Sequence, residues 1–332
     1  MTGGSVVRSF VSIAICMLAA CSRAPEPAVT APPPPAELAP PYALAASADS
    51  PLLFAPGVIS TGDFESHAAF MPDGRTLYFV KSGPQFTRWT IYETRFADGR
   101  WSTPTIAPFS GAHRDSDPFV TADGTHLYFI SDRPVNGTAK ADLDIWVMDQ
   151  TAQGWSEPRN LGAPVNSAQS EWHPSLTSRG TLYFGSARPG GFGMTDVYRA
   201  TSGGGEWHVE NLGAQINSAG DEYEPLIAPD ESYLIFMAYR PDALGASDLY
   251  LSWNSNGSWS VPVNLGFPIN SNALELAPNL SPDGRYLFFS STRLSSSTES
   301  RGPAAAGNGY GDIYEMDLAA ALRAARPAAS RR

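Results

Sequence analysis

The chain has 332 residues, of which 42% are hydrophobic and only 17% charged, with 30 Gly and 29 Pro. That mix suits a turn-rich all-β body. The formal net charge of −11 repels phosphate backbones, which argues against nucleic acid and fits cations, basic peptides or neutral glycans.

The N-terminus reads as a targeting segment, residues 1–20. Arg8 precedes the apolar run from Phe10 to Ala20, too short to span a bilayer as a mature helix. The run ends Leu-Ala-Ala-Cys at Cys21, which resembles the lipobox of bacterial lipoproteins. The resemblance implies cleavage before Cys21, lipidation of its thiol and stable anchoring by two or three acyl chains. Ser22 follows Cys21 where family sorting implies the outer membrane, with the body facing the periplasm or the exterior. Cys16 leaves with the leader and Cys21 takes lipid, so the mature chain is expected to hold no disulfide. Residues 21–50 are Pro/Ala-rich and read as an extended, disordered tether.

Residues 51–318 hold five copies of one repeat, which decides the fold. The copies open at Glu65, Asp115, Glu171, Glu222 and Glu275, which lie 50, 56, 51 and 53 residues apart. An acidic residue leads a short apolar strand, and a turn follows, often Pro-Asp-Gly or Ala-Asp-Gly. A second strand such as Leu77-Tyr78-Phe79 comes next, then a loop, then Asp-apolar-aromatic at Asp144, Asp196, Asp248 and Asp312. A Gly-bearing turn leads to a strand marked by Trp101, Trp155, Trp207 or Trp259. Three copies close with Asn-Leu-Gly-x-x-Val/Ile-Asn-Ser, starting at Asn160, Asn211 and Asn264.

Four short strands per repeat of about fifty residues predict a β-propeller of five four-stranded blades, with six as the alternative. The fifth copy lacks its fourth strand, and residues 52–60 supply a spare one. The N-terminal strand is therefore expected to complete the last blade, which leaves no open sheet edge. The tail from residue 319 to 332 is Ala/Arg-rich and reads as a frayed helix without assigned function.

The repeat looks like the TolB-type propeller repeat of bacterial envelope proteins, a relative of the WD repeat. Residues 275–293, Glu-Leu-Ala-Pro-Asn-Leu-Ser-Pro-Asp-Gly-Arg-Tyr-Leu-Phe-Phe-Ser-Ser-Thr-Arg, and Gly-Asp-Ile-Tyr at 311–314 carry the resemblance. The Asn-Leu-Gly linker resembles that of propellers joined to OmpA-like, peptidoglycan-binding domains. The resemblance implies an envelope interaction role; it does not specify an activity, because one scaffold hosts many functions.

Chain direction places the leading acids Glu65, Asp115, Glu171, Glu222 and Glu275 on one face near the axis. Arg133, Arg188, Arg240 and Arg293 end the second strands there, and Asp144, Asp196, Asp248 and Asp312 start the third. These groups are expected to pair as structural rim clips. The first blade has Gly83 and Thr90 where the others have Arg and Asp, as expected if Arg and Asp bond each other. Glu65 is then the ring acid without a partner.

Two positions after each acid come His67, Asp117, His173, Glu224 and Ala277, placed by the strand period on the acids' side. Glu65, His67, Asp117, His173 and Glu224 thus form an axial candidate ligand site. His67, Asp117, His173 and Glu224 could hold a divalent cation such as Zn²⁺ or Mn²⁺. The plainer reading is four polar residues solvating a channel mouth, with no cofactor.

Asp73, Asp123, Asp230 and Asp283 read as turn residues bonding their own backbone. The tryptophans read as outer-strand packing. The long loops at 133–144 and 293–312 are where a partner is expected.

The reading is a non-catalytic, monomeric envelope binding or scaffold module that presents its loop face to a protein, peptide or glycan. The alternatives are a metal-dependent enzyme or a glycoside hydrolase at the axis, with Asp117 and Glu224 as its carboxyl pair. No nucleophile elbow, phosphate loop or cysteine nucleophile is present in the mature chain.

Overall fold

The computed structural model describes residues 1–2, 41–42, 49–83, 87–294 and 305–325. The leader, Cys16, Cys21 and residues 295–304 of the last loop lie outside them. No helix among the described residues is long and apolar enough to cross a membrane.

The chain opens with β1 (Leu52–Leu53) and then runs through five antiparallel sheets in sequence. Blade one is β2 (Phe64–Phe70), β3 (Thr76–Ser82), β4 (Thr90–Ala97), β5 (Arg100–Trp101) and β6 (Thr105–Ile106). Blade two is β7 (Asp115–Val120), β8 (His126–Ser131), β9 (Asp144–Thr151), β10 (Gly154–Trp155) and β11 (Arg159–Asn160). Blade three is β12 (Glu171–Leu176), β13 (Leu182–Ser186), β14 (Asp196–Gly203) and β15 (Glu206–Asn211). Blade four is β16 (Asp221–Ile227), β17 (Tyr233–Tyr239), β18 (Asp248–Ser255), β19 (Ser258–Trp259) and β20 (Val263–Asn264). Blade five has only β21 (Glu275–Leu280), β22 (Tyr286–Ser291) and β23 (Asp312–Asp317) of its own.

β1 supplies the missing strand. Leu52 pairs with Glu315 and Leu53 with Tyr314, both antiparallel, so the N-terminal strand closes the ring as the sequence predicts. The first strands β2, β7, β12, β16 and β21 surround the axis, each packed on the next, and β21 packs back on β2. The protein is a five-bladed propeller.

Alternation along the strands explains the stacking. In β3, Leu77 and Phe79 pack toward blade five, while Tyr78 and Val80 pack toward blade two. The same split recurs around the ring, giving an apolar core in each of the five gaps between blades. A blade buries both faces only beside its neighbours, which is why the fold must close.

Two boundaries differ from the sequence reading. Tyr42, inside the expected tether, is buried against Phe70, Tyr286 and Phe288, so the chain enters the body at the turn face. The tail begins as a helix, α1 (Leu318–Ala324), whose first turn Asp317 caps by accepting from Ala320 N–H at 2.8 Å. Leu318, Ala320 and Ala321 are buried in the core between blades four and five, so this segment belongs to the body.

Candidate functional site

The rim is a repeated hydrogen-bonded clip. Arg133 meets Asp115 at 2.7 Å, Arg188 meets Glu171 at 3.3 Å, Arg240 meets Glu222 at 2.9 Å and Arg293 meets Glu275 at 3.2 Å. Each guanidinium also lies over the aromatic of the third strand: 5.5 Å from Trp146, 4.9 Å from Tyr198, and 5.0 Å from Tyr250 and Tyr314. The four acids are fully buried, so these are paired interior charges rather than surface bridges.

Among the described residues, the expected bonds from these arginines to the third-strand Asp144, Asp196, Asp248 and Asp312 do not form. Asp144, Asp196 and Asp248 instead take Asn160, Asn211 and Asn264 at 2.8, 2.7 and 2.6 Å. Asp196 and Asp248 also cap loop N–H groups of Phe192 and Leu244, and Asp144 takes Lys140. Glu65 is not free either. Lys81 reaches it at 3.2 Å and lies over Tyr92, doing for blade one what arginine does elsewhere. The substitution escaped the alignment because Lys81 stands two positions before Gly83. Burial pushes the Glu65 carboxyl up, against hydrogen bonds from Thr61.

The linker motif has a role that the sequence reading missed. Its second Asn (Asn166, Asn217 or Asn270) receives one third-strand N–H and donates to the same residue's carbonyl, at Ile145, Val197 and Leu249. Its Ser then donates to the next blade's leading acid: Ser167 to Glu171, Ser218 to Glu222 and Ser271 to Glu275, at 2.6–2.7 Å. The motif wires the third strands of blades two, three and four to the first strand of the next blade.

At the axis the period of two is broken. Every first strand slips register just after its leading acid, between Ser66 and Ala69, Ser116 and Phe119, Trp172 and Ser175, Tyr223 and Leu226, and Leu276 and Asn279. The bulge residues His67, Asp117, His173, Glu224 and Ala277 all have left-handed backbones, with φ between 43° and 55°. The bulges bring the four polar ones together. His67 Nε2 lies 3.0 Å from Asp117 and 3.2 Å from Glu224. The His67 and His173 rings are 5.5 Å apart. Asp117 also accepts His173 N–H at 2.9 Å, and Glu224 accepts Ala277 N–H at 2.5 Å. Glu65, the fifth candidate, faces Thr61 and Lys81 instead.

The electrostatics follow from burial and contact. Burial opposes charge on His67, but Asp117 and Glu224 overcome it and raise the imidazole to about 10. Burial likewise opposes charge on Asp117, yet His67 holds it down to about 2. Burial pushes His173 below its ordinary value, against the pull of Glu224.

No family model matches the sequence, and no curated protein matches it. Solved structures do. TolB from Acinetobacter baumannii is 16% identical with a TM-score of 0.44, over 77% of this chain and 55% of that one, so the chain spans little more than half its length. A putative TolB from Agrobacterium tumefaciens is 14% identical with a TM-score of 0.47, over 77% of this chain and 90% of that one. An alpha-L-arabinofuranosidase from Lactobacillus brevis is 12% identical with a TM-score of 0.46, over 79% of this chain and 92% of that one. The likeness is one of fold.

Glycoside hydrolysis therefore has to be judged on the propeller's own carboxyls. Two of them, about 5–9.5 Å apart, must flank a space open to a glycosidic oxygen and a water. Here the His67 imidazole is wedged between Asp117 and Glu224. The axis as built does not meet that requirement.

The remaining candidates are structural in their contacts. Trp155 donates to Tyr78 Oη at 2.9 Å across the gap between blades, Trp101 packs on Phe54, and Trp259 on Tyr183. Asp73, Asp123, Asp230 and Asp283 accept from backbone N–H groups two residues on. A cavity of ≈ 630 Å³ opens on the turn face, lined by first-strand ends such as Phe70, Phe119, Leu176, Ile227 and Leu280. Sequence reasoning missed it because its walls are ordinary apolar strand positions.

Proposed function

We propose that this chain is a non-catalytic binding propeller that presents its loop face to a protein partner in the bacterial cell envelope. The observation that carries this reading is a set of large apolar side chains left in solvent on that face. Phe267 is 82% exposed, Met194 77%, Leu294 75%, Leu244 53% and Phe192 50%. They stand on the loops after the second strands of blades three, four and five, and on the link between blades four and five. Exposed apolar side chains clustered on one face mark protein contact sites. The loops are held on a rigid base: Ala246 N–H donates to Ala273 O at 2.7 Å, and Asp196 and Asp248 cap the others from below. The rim charges, by contrast, are consumed in the clips.

The proposed setting is export and lipid anchoring through Cys21, at the outer membrane. A tether that enters at Tyr42, on the turn face, would leave the loop face free for a partner. Capture from envelope extracts tests the reading, using wild type and a Met194→Ser/Leu244→Ser/Phe267→Ser variant of equal melting temperature. The variant is expected to lose the main protein that wild type captures. Equal capture by both overturns the reading. A Cys21→Ala form that still sediments with membranes would remove the anchor.

A further inference from the structure

We propose that the axial cluster is a binding site for one divalent transition-metal ion, such as Zn²⁺ or Mn²⁺, held by His67, His173 and Glu224 with Asp117 beside them. The donor atoms of His67, His173 and Glu224 already lie within 4.8 Å of one another. Two imidazoles and carboxylate oxygens form the donor set these ions prefer.

The cluster is built rather than accidental in its contacts. Four donors come from four different blades, delivered by the same bulge in each. Groups behind them fix their directions, as outer-shell partners do in metal sites. Ser66 Oγ holds His67 Nδ1 at 2.7 Å, which turns Nε2 inward. Ser116 Oγ and the His173 N–H hold Asp117, and the Ala277 N–H holds one oxygen of Glu224, leaving the other for the centre.

His173 supplies the second, independent observation. It is only 3% exposed, yet its Nδ1 has no hydrogen-bond partner. The ring also neighbours the Pro278 backbone, and Nδ1 is the nitrogen left unpaired. A buried polar atom in that state opposes folding, and a cation at the cluster would satisfy it. Ala277 takes the fifth bulge position, so only four side chains compete for the centre.

Untagged full-length protein, solubilised in detergent and stripped with chelator, is loaded with ZnCl₂ or MnCl₂ and passed over a desalting column. Elemental analysis is expected to find about one ion per chain. His173→Leu, which packs without a donor, is expected to weaken binding more than tenfold. The other three histidines, His113, His126 and His208, lie outside the axis. A variant with all three changed to Gln must bind as wild type does. X-ray absorption of the zinc form reads the ligands directly, even where His173→Leu fails to fold, and two imidazole nitrogens at about 2.0–2.1 Å are expected. Wild type that retains no ion overturns the proposal. So does binding that survives His173→Leu, binding lost in the triple variant, or a spectrum without imidazole.

Discussion

The middle blades and the closing seam solve the same problem with different parts. Between blades two and five, each junction is wired by the Asn-Leu-Gly-x-x-Val/Ile-Asn-Ser link: Asn to the third-strand Asp, Asn to a third-strand peptide, Ser to the next leading acid. At the seam the link is residues 54–63, and its side chains are shorter. Ser60 takes the place of the second Asn, exchanging hydrogen bonds with Ile313 at 3.1 and 3.2 Å. Thr61 takes the place of Ser, and Lys81 that of Arg. Nothing takes the place of the first Asn, so Asp312 Oδ1 is buried without a partner. Burial and the nearby Glu65 raise Asp312 to about 7. Closing a ring with a strand from the far end of the chain costs the seam part of its polar wiring. The middle blades show what that wiring is worth.

The largest effect is expected from breaking a middle clip. Glu222→Ala leaves Arg240 and the Ser218 hydroxyl facing a cavity, and should cost about 3–5 kcal/mol in urea unfolding. Glu65→Ala at the seam should cost less, because Lys81 keeps Asp63 at 2.8 Å. Equal losses would mean that both regions are wired alike.

A second buried carboxyl sharpens the contrast. Glu315, on β23 of the seam blade, has an oxygen with no partner, and burial raises it to about 8. Its protonated form supports the fold fully below the ordinary value of 4.5, and that support is lost as pH climbs toward 8. Glu315→Gln should remove this loss while leaving a buried amide of its own. We expect a net gain of about 2–3 kcal/mol at pH 9 and little change at pH 5, at about 1.4 kcal/mol per pKa unit less the amide's cost. A variant as pH-sensitive as wild type would relieve Glu315 of that role. Asn217→Ala, which strands the Val197 N–H and carbonyl, should cost about 2 kcal/mol, and Ser60→Ala at the seam about 1 kcal/mol.

What could be read from sequence follows what the physics repeats in residue type. The blades, the closing strand and the turn acids were legible because Gly, Pro, Asp and alternating apolar positions recur at fixed offsets. The axial bulge was not. Left-handed backbone usually announces itself through Gly or Asn, and here it falls on His67, Asp117, His173, Glu224 and Ala277. The four polar residues were nonetheless picked out, because they vary where the repeat is otherwise constant. A bond from Arg133 and its equivalents to the third-strand aspartates is suggested by the joint change to Gly83 and Thr90, whereas in blade one Lys81 stands in for the arginine on Glu65 and Tyr92 keeps the aromatic place. The tail reads as a helix from its composition, but its start is legible only in the cap: Asp317 followed by Leu-Ala-Ala-Ala-Leu-Arg is an N-cap ahead of strong helix formers.

A matched pair tests the comparison most sharply, because one substitution should change sign between the two regions. Asp248 in blade four accepts from three donors: the N–H groups of Leu244 and Gly245 and the Asn264 amide. An amide side chain offers one acceptor atom instead of two, so Asp248→Asn sets an NH₂ group against a donor and should cost about 1–2 kcal/mol. Among the described residues, Asp312 in the seam accepts only from Gly307 N–H, at 2.7 Å. Asp312→Asn keeps that bond and removes a buried group whose charge is lifted at the expense of stability between its ordinary 3.8 and about 7. At about 1.4 kcal/mol per pKa unit, less the cost of burying the amide NH₂, it should therefore stabilise by about 1–3 kcal/mol at pH 8 and fade to nothing below pH 4. Thermal melts of both variants at the two pH values read the signs. Destabilisation by both at pH 8 would show that the seam aspartate is as fully wired as its siblings.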